Sequence, residues 1–304
     1  MLLNYYLKEL GIDTKPGFLE KYLKAPSLIR LKKVGYFCGM DYSSKNIYRF
    51  SEYISRYDHS VSVALLSYKL TKDKKATIAA LFHDVGTPCF SHVIDYMNGD
   101  YEKQESTEMF TEEIIKKDAC LQRCLKQDGI DIKDIINFKQ YTVVDNDRPK
   151  LCADRLDGII LNGIGWIKNI NKEDISKILK DLTIYNNEDN EKEIGFIHEE
   201  MARKVLEKSR EIDEYCHSNE DSYMMELLAK ITKKAIESNY LKYEDLYYLN
   251  EEELFCSLNH IKNTSLKKYL HIFKNVKKKD IPKIEVHNIK ARIINPLVNN
   301  HRID

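Results

Sequence analysis

Residues 56–92 read RYDHSVSVALLSYKLTKDKKATIAALFHDVGTPCFSH. This stretch contains His59 and the adjacent pair His83-Asp84, and the later segment LCADRLDG supplies Asp154. Imidazole and carboxylate groups together form the ligand set of hydrolytic sites that use a divalent metal. The order His, His-Asp, Asp therefore predicts a site for one divalent metal ion. Manganese, iron or magnesium suits this set, and ligation without cysteine argues against a structural zinc site.

The residues around these ligands predict that helices hold them in place. After His59, apolar side chains recur at the i, i+3, i+4 and i+7 spacing of an amphipathic helix. Residues 76–82, ATIAALF, are apolar on every side, so we expect a buried helix that delivers His83 and Asp84 at its end. Unpaired polar groups are unfavourable in a buried position, and coordination to a metal would satisfy them. Asp154 lies on the later helix pattern LCADRLDGIILNGI.

The ordered motifs resemble those of the HD-domain metal-dependent phosphohydrolases, a superfamily named for its His-Asp pair. They are most similar to the deoxynucleoside-triphosphate triphosphohydrolase branch, in which an Arg-aromatic/acid-His-Ser segment precedes an HD-x-G-H-x-P-F-x-H motif. The matching segments are RYDHS at residues 56–60 and HDVGTPCFSH at residues 83–92. Thr87 and Glu102 stand where that branch has two further histidines. The resemblance extends over residues 26–163 and is weak beyond them.

The resemblance also implies roles for residues outside the metal set. Arg56 and Arg155 correspond to contacts with substrate phosphate, a task that suits the planar, bidentate guanidinium group. His92 corresponds to an acid/base residue near the leaving group. In the relatives an acid at the position of Asp95 orients a catalytic histidine. Glu102 stands in the place of that histidine and is the candidate to replace it as the acid/base group.

The sequence alone leaves plainer interpretations of these residues open. Arg56 can pair with a neighbouring acid or a helix end, and His92 can bond a backbone carbonyl in a partly buried position. Glu102 can be a solvated acid at a helix N-terminus, where the helix dipole favours negative charge. Asp157 shares a helix face with Asp154, and it either hydrogen-bonds a metal ligand or forms an ordinary salt bridge with a nearby Lys or Arg.

Composition favours a mainly α protein. The chain has only 11 Gly and 6 Pro among 304 residues, and it is rich in Lys, Glu, Leu and Ile. We predict an HD-domain helical bundle as the metal-binding core at residues 51–165, preceded by a helical lead-in at 1–50. Additional C-terminal helices are expected at 166–304, and the apolar/polar alternation of residues 282–298 predicts a small terminal β-hairpin. One compact unit is expected, because this hairpin is too short to fold independently.

Charge and cysteine usage exclude several classes. The 48 basic and 48 acidic residues give a formal net charge of zero, so no global electrostatic argument favours nucleic acid or an anionic membrane as partner. No stretch approaches the ~18 apolar residues that a membrane-spanning helix needs. The seven cysteines are odd in number and form no CxxC pair, so neither a disulfide framework nor a zinc finger is indicated. Reduced thiols in a cytoplasmic protein are the plain expectation.

Together these patterns predict a metal-dependent phosphohydrolase that acts on a nucleotide. The resemblance implies hydrolysis of a dNTP to deoxynucleoside and triphosphate, and a nucleoside monophosphate or another phosphoester is the alternative substrate. Two other classes stay open: a sensor that binds nucleotide without turnover, and a helical scaffold in which the His and Asp side chains merely pair. The relatives also imply a homo-oligomer, and no nucleic-acid partner is expected.

Overall fold

The computed structural model describes residues 1–104 and 106–304, and the protein is mainly helical. The α-helices of these residues are, in chain order, α1 (Leu2–Glu9), α2 (Leu19–Tyr22), α3 (Pro26–Arg30), α4 (Arg56–Thr71), α5 (Lys74–Phe82), α6 (Val93–Asn98), α7 (Thr111–Lys117), α8 (Ala119–Asp128), α9 (Ile132–Ile136), α10 (Ala153–Gly165), α11 (Lys172–Asp181), α12 (Glu199–Cys216), α13 (Asn219–Glu237), α14 (Asp245–Tyr248), α15 (Glu251–Asn259) and α16 (Thr264–Asn275). The mainly α fold predicted from composition is confirmed. Across the described part of the chain, no helix combines the length and apolar character needed to cross a membrane.

Helices α4 and α5 pack against each other at the centre of the fold. Ser55 and Asp58 form a capping box at the start of α4, in which each side chain accepts a hydrogen bond from the backbone N–H of the other residue. Lys72 ends α4 in a left-handed conformation with a φ of 56°. Asp73 then caps α5 by accepting from the N–H of Ala76, and α5 is buried from Ala76 onwards. The chain thus reverses in a short turn and enters the core as the apolar pattern predicts.

The loop that follows α5, residues 83–92, is held by elements from both ends of the chain. Phe90 and Ser91 have positive φ angles of 67° and 45°, which side chains of this size adopt only where the surroundings fix them. The buried carboxylate of Glu251, in the first turn of α15, accepts a hydrogen bond of 3.0 Å from the N–H of Phe90. Arg30 in α3 donates to a loop carbonyl at 2.5 Å. These contacts position the His-Asp pair at the start of the loop.

A small four-stranded sheet lies in the C-terminal half. Its strands are β1 (Leu182–Asn186), β2 (Lys192–Phe196), β3 (Leu297–Val298) and β4 (His301–Arg302), and their order in the sheet follows the chain. β1 and β2 pair antiparallel, β3 joins β2 in parallel, and β4 pairs antiparallel with β3. Arg302 fixes the last strand, because it reaches both carboxylate oxygens of the buried Glu193 in β2 at 2.6 and 2.7 Å.

The terminal hairpin is present as β3 and β4, but it lies further along the chain than the alternating pattern predicted. Residues 281–296 are extended without a strand partner. Their backbone groups bond elsewhere: the N–H of Lys290 donates to the carbonyl of Tyr101 at 3.2 Å, and that of Arg292 donates to the carboxylate of Asp213 at 2.5 Å. The alternation does not correspond to one buried side, because Ile289 and Ile294 are buried whereas Ile293 is 39% exposed.

Replacing Gly86 by Ala should destabilise the protein by about 1–3 kcal/mol. An added Cβ would lie 2.2 Å from Thr111 Oγ1 and 2.7 Å from the Cα and N atoms of Thr111, so the backbone itself has to move. The free energy of unfolding in urea measures the effect. Gly17→Ala is the control, because nothing lies within 4 Å of its added Cβ. Equal stability of the two variants would contradict the close packing of the 83–92 loop.

Candidate metal centre and adjoining cavity

Three helices deliver the four predicted metal ligands to one place. His59 lies in the first turns of α4, His83 and Asp84 follow α5, and Asp154 lies in the first turn of α10. Asp154 Oδ1 is 3.0 Å from His59 Nε2 and 3.5 Å from His83 Nε2. The oxygens of Asp84 lie 3.7 Å from His59 Nε2 and 3.8 Å from His83 Nε2. The structure therefore brings all four side chains together as a His/Asp cluster.

The donor atoms of this cluster fit a divalent cation. His83 Nδ1 lies 2.7 Å from the carbonyl oxygen of Ala80, which directs Nε2 toward the cluster. Nε2 is buried and has no hydrogen-bond partner among the residues that the structure describes, an arrangement that is unfavourable unless another group satisfies the nitrogen. The ligand atoms of His59, His83 and Asp154 all lie within 4.8 Å of one another. A bound metal ion would satisfy the orphaned nitrogen and both carboxylates at once.

The electrostatics of the cluster favour positive charge at its centre. Burial alone would lower the pKa of His59, but its hydrogen bonds to Asp154 and Asp157 outweigh burial and raise that pKa to about 10. Burial would likewise raise the pKa of Asp84, but the neighbouring charges of His83 and Arg56 lower it to about 2. The carboxylates thus stay ionised and attract a cation, which is the charge that a divalent metal supplies.

Asp157 supports the cluster from behind. Its Oδ2 lies 2.7 Å from His59 Nδ1, and its Oδ1 accepts a hydrogen bond of 2.7 Å from the hydroxyl of Tyr6 in α1. Of the two interpretations, the structure thus shows the hydrogen bond to a candidate ligand, and within the described part of the chain no Lys or Arg forms a salt bridge with Asp157. Asp157 and Tyr6 are both fully buried. This carboxylate orients His59 so that Nε2 faces the cluster. Sequence patterns did not reveal the contribution of Tyr6, because it depends on packing between distant helices.

Arg56 lies beside the cluster and lines the adjoining cavity. Its Nη1 is 2.8 Å from Asp84 Oδ2, and its Nε donates to Ser91 Oγ at 3.2 Å. The guanidinium carbon lies 4.9 Å from the centre of the Tyr36 ring. The neighbouring acid Asp58 instead belongs to the capping box of α4. Arg56 is therefore placed where it can approach a phosphate group bound at the cluster.

His92 also lines the cavity, and Asp95 holds it. His92 Nδ1 lies 2.8 Å from Asp95 Oδ2, a carboxylate rather than the backbone carbonyl of the plainer interpretation. Burial lowers the pKa of His92, and the charges of Arg292 and Arg56 add to this effect against the opposing influence of Asp95. His92 is therefore neutral at neutral pH and able to accept a proton.

Two predicted site residues take other positions. Glu102 is exposed on the surface, where its carboxylate accepts a hydrogen bond of 3.0 Å from Asn288, and it does not line the cavity. Arg155 lies in the cavity wall, but its guanidinium donates to the carbonyl of Lys150 at 2.8 Å and to both oxygens of Asn146. The donors of Arg155 thus stabilise the loop before α10, and the structure does not bring either residue to the cluster in the predicted role.

The cavity next to the cluster has a volume of about 500 Å³, and its lining includes cationic side chains that no short sequence pattern singles out, among them Arg148, Lys290 and Arg292. We call Arg148, Lys290 and Arg292 the cationic trio. Arg292 donates to the amide oxygen of Gln104 at 2.7 Å, and Lys290 donates to the carbonyl of Lys103 at 3.1 Å.

Nearby acids act on the charge of the trio from a distance, Asp154 on Arg148 and Asp145 on Lys290. Across residues 1–104 and 106–304, no member of the trio forms an ion pair with a carboxylate. Burial lowers the pKa of Arg148 to about 10, with the charges of Arg292 and Arg155 contributing. Burial and the neighbouring arginines also lower the pKa of Lys290. The trio is therefore suited to an anionic ligand with more than one charged group.

Comparison with known proteins places the cluster within a recognised domain. The sequence model of the HD domain matches residues 56–159, a range that contains all four cluster residues and Asp157. "Uncharacterized protein YdhJ" of Bacillus subtilis is 26% identical over 239 residues, which cover 78% of this chain and 70% of that protein. "Metal-dependent phosphohydrolase cns2" of Cordyceps militaris is 26% identical over 137 residues, which cover 43% of this chain and 37% of that relative.

A solved structure shares the fold. The crystal structure of a hypothetical protein from Aquifex aeolicus superimposes with a TM-score of 0.59, and the match covers 85% of this chain and 71% of the other. The sequence identity is 17%, so the likeness concerns the fold alone. The fold of most of this chain therefore recurs in a protein of widely different sequence.

Replacing Asp157 by Asn should weaken metal binding by about 10–100-fold. The amide keeps the shape of the side chain but removes the negative charge. That charge orients the His59 imidazole and makes it a more basic ligand. Isothermal titration with Mn²⁺ measures the change. Tyr6→Phe is the milder comparison, because it removes only the second hydrogen bond to Asp157. Unchanged Mn²⁺ affinity in Asp157→Asn would contradict the supporting role of this carboxylate.

Proposed function

We infer from the HD domain at residues 56–159 that this chain is a metal-dependent phosphohydrolase, and we propose that its substrate is a nucleotide. The leading candidate reaction is hydrolysis of a dNTP to deoxynucleoside and triphosphate. The observation that carries the proposal is the orphaned Nε2 of His83, which faces two carboxylates and a second histidine at the edge of a cavity of about 500 Å³. A cavity of this size suits a ligand as large as a nucleotide.

The side chains around the cluster have distinct tasks in such a reaction. His59, His83, Asp84 and Asp154 would hold the metal ion. When bound, the ion polarises the phosphoryl group and lowers the pKa of a coordinated water, from ~15.7 toward ~7. Arg56 offsets negative charge that grows on the phosphate oxygens. His92, neutral and held by Asp95, accepts a proton from the attacking water and returns it to the leaving oxygen.

The cationic trio supports a substrate with several phosphates. The charge of Arg292 lowers the pKa of His92 and those of Arg148 and Lys290, so this guanidinium lies near all three groups. A monophosphate would leave most of this positive charge unpaired, although the three side chains are half-buried and lie close together. A triphosphate extends along the trio and neutralises it. A nucleoside monophosphate or another phosphoester is therefore the second choice among substrates.

One observation favours a different class of protein. Thr87 and Glu102 stand where the resembling enzymes have histidines, and Glu102 lies outside the cavity. A protein that binds nucleotide as a sensor needs the metal and the cationic trio but not the full set of acid/base groups. His92 is the residue that separates these two proposals, since only turnover requires it.

A turnover panel with Mn²⁺ should release triphosphate from at least one dNTP. The panel contains dNTPs, NTPs, nucleoside monophosphates and a generic phosphodiester, and mass spectrometry identifies the products. Asp154→Ala should reduce the rate to background, because the cluster loses the carboxylate that lies nearest both histidines.

If inorganic phosphate is released, and only when nucleoside monophosphates are the substrates, the protein is a nucleotidase and not a triphosphohydrolase. Absence of turnover on every substrate, together with retained stoichiometric metal and nucleotide binding, would establish the sensor and contradict the enzyme. Activity that persists in Asp154→Ala would exclude the cluster as its source.

The pH profile of kcat/KM should show an acidic limb that belongs to His92. The neutral imidazole is the active form, so activity is present above the pKa of His92 and is lost as pH falls through it. Burial and the neighbouring arginines lower this pKa, and the limb should therefore lie below the ordinary value of about 6.5. His92→Gln should lower the rate by about 10²-fold or more and remove the limb. Metal content is measured at each pH as the control. If the acidic limb is unchanged in His92→Gln, the limb belongs to another group and the prediction is wrong.

A further inference from the structure

Two carboxyl groups that the proposed reaction does not use meet behind the loop of residues 83–92. Glu251, in the first turn of α15, is fully buried, and Asp41, in the short helical turn Met40–Tyr42, is half-buried. Glu251 Oε2 and Asp41 Oδ2 are both buried atoms, and neither has a hydrogen-bond partner in the part of the chain that the structure describes. An unpaired buried oxygen is unfavourable. The two orphaned oxygens therefore need a group that satisfies them.

Gly35 brings these two oxygens to the same place. A Cβ added to Gly35 would lie 2.7 Å from Asp41 Oδ2 and 3.1 Å from Glu251 Oε2. Both oxygens thus lie beside one point next to the Cα of Gly35, in space that any other residue would fill. Two ionised carboxylates at such a place repel each other. One proton held between them removes this repulsion and gives each orphaned oxygen a hydrogen-bond partner.

We propose that Glu251 and Asp41 share one proton, and that this carboxyl pair positions the loop of the metal site and releases it in alkaline solution. With the proton in place, the second oxygen of Glu251, Oε1, accepts the hydrogen bond of 3.0 Å from the N–H of Phe90. Loss of the proton leaves two negative charges together, and the loop loses this support. The inference concerns how the loop is held and does not depend on the proposed substrate.

The pair is connected to the metal ligands through the loop. Phe90 and Ser91 both have positive φ angles, so their conformation needs the support of the surroundings. Ser91 Oγ accepts a hydrogen bond of 3.2 Å from Nε of Arg56, and the same guanidinium lies 2.8 Å from Oδ2 of Asp84. A displacement of Phe90 therefore moves Ser91 and changes the contact that holds the carboxylate of Asp84. Glu251 is thus a positioning residue for the metal site.

The surroundings set the pH range in which the proton is held. Burial raises the pKa of Glu251 to about 8, with the charge of Asp41 adding to it against two backbone N–H groups and the charge of Arg56. Burial also raises the pKa of Asp41 to about 6, against the charge of Lys45. One proton is therefore held between these two pKa values, and it is lost as pH rises through the higher one.

The other groups that face the pair keep their charge through this range. Burial raises the pKa of one thiol and two phenols, which stay neutral, and two guanidinium groups stay positive. These groups are Cys89, Tyr42, Tyr53, Arg30 and Arg56. On its outer side, Asp41 lines a small cavity with Lys32, Lys33 and Glu252. The exposed Glu252 is paired with Lys33 at 2.7 Å, and it supplies a matched control for its neighbour Glu251.

Titration calorimetry with Mn²⁺ at pH 7 and pH 9 under nitrogen tests the pair with Glu251→Gln. The amide keeps an oxygen for the N–H of Phe90 and offers an N–H to Asp41, so it reproduces the protonated acid at every pH. Changes in the protonation of the metal ligands affect both proteins, so the measured quantity is the ratio of wild-type to variant affinity. This ratio should fall about tenfold from pH 7 to pH 9, an effect typical of groups that support metal ligands.

Three further variants complete the test. Asp41→Asn should behave like Glu251→Gln, because its amide also donates to the partner oxygen. Glu252→Gln should keep the pH dependence of the wild-type protein. Glu251→Ala should weaken Mn²⁺ binding at both pH values, because it also removes the acceptor for Phe90. A ratio that does not change with pH, or an equal effect of Glu252→Gln, would overturn the shared proton. Failure of both amide variants to fold would overturn it as well, because an amide reproduces the protonated acid.

Urea unfolding gives a second readout that needs no metal. The pKa of Glu251 rises from its ordinary 4.5 to about 8 on folding, so the folded protein holds a proton that the unfolded chain has lost. The unfolding midpoint of the wild-type protein should therefore fall as pH rises from 7 to 9, and Glu251→Gln should reduce this fall. An equal fall in both proteins would contradict the proposal. Neither measurement uses a substrate, so failure of the carboxyl pair leaves the phosphohydrolase proposal intact.

Discussion

The imidazole of His59 lies between two carboxylates, and much of the structure depends on that position. Nε2 faces Asp154 at 3.0 Å and Nδ1 faces Asp157 at 2.7 Å, so one buried ring joins α4 to α10. Tyr6 extends the chain of hydrogen bonds to α1. Ionised carboxylates are costly in a protein interior unless opposite charge and hydrogen bonds compensate them. The helices therefore have to keep this spacing, and the spacing in turn places the ligand atoms around a common centre.

Parts of the chain that are far apart in sequence complete the site around this centre. The loop after α5 carries His83 and Asp84. Two of its residues keep positive φ angles because hydrogen bonds fix the loop, to Glu251 from the C-terminal part of the chain and from Arg30 in the N-terminal part. The cavity receives Arg148 from the loop before α10, and Lys290 and Arg292 from the extended segment before β3. One continuous hydrophobic core, with residues from Leu3 to Ile294, fixes the positions of these elements relative to one another.

The sequence predicted what depends on local pattern and missed what depends on packing. The apolar run at 76–82 and the spacing after His59 predicted α5 and α4, and the ordered motifs predicted the cluster, because helix periodicity and ligand type are visible in short stretches. Arg292 was not recognised, since it lies in a segment whose alternation is typical of a strand although its backbone bonds run to Tyr101 and Asp213. The place of Glu102 in a motif predicts an acid/base role that its surface position does not allow. Its surface position depends on the loop after α6, which no short pattern describes.

The extended segment that carries Lys290 and Arg292 has a consequence for how such a protein can diversify. The candidate metal ligands all come from residues 59–154, whereas two of the three cations of the trio come from a stretch more than a hundred residues later that has no regular secondary structure. Substitutions and changes of length are tolerated more readily in such a stretch than inside packed helices. This segment can therefore change its charges and its length, and with them the anions that the cavity attracts, without disturbing the helices that hold the cluster.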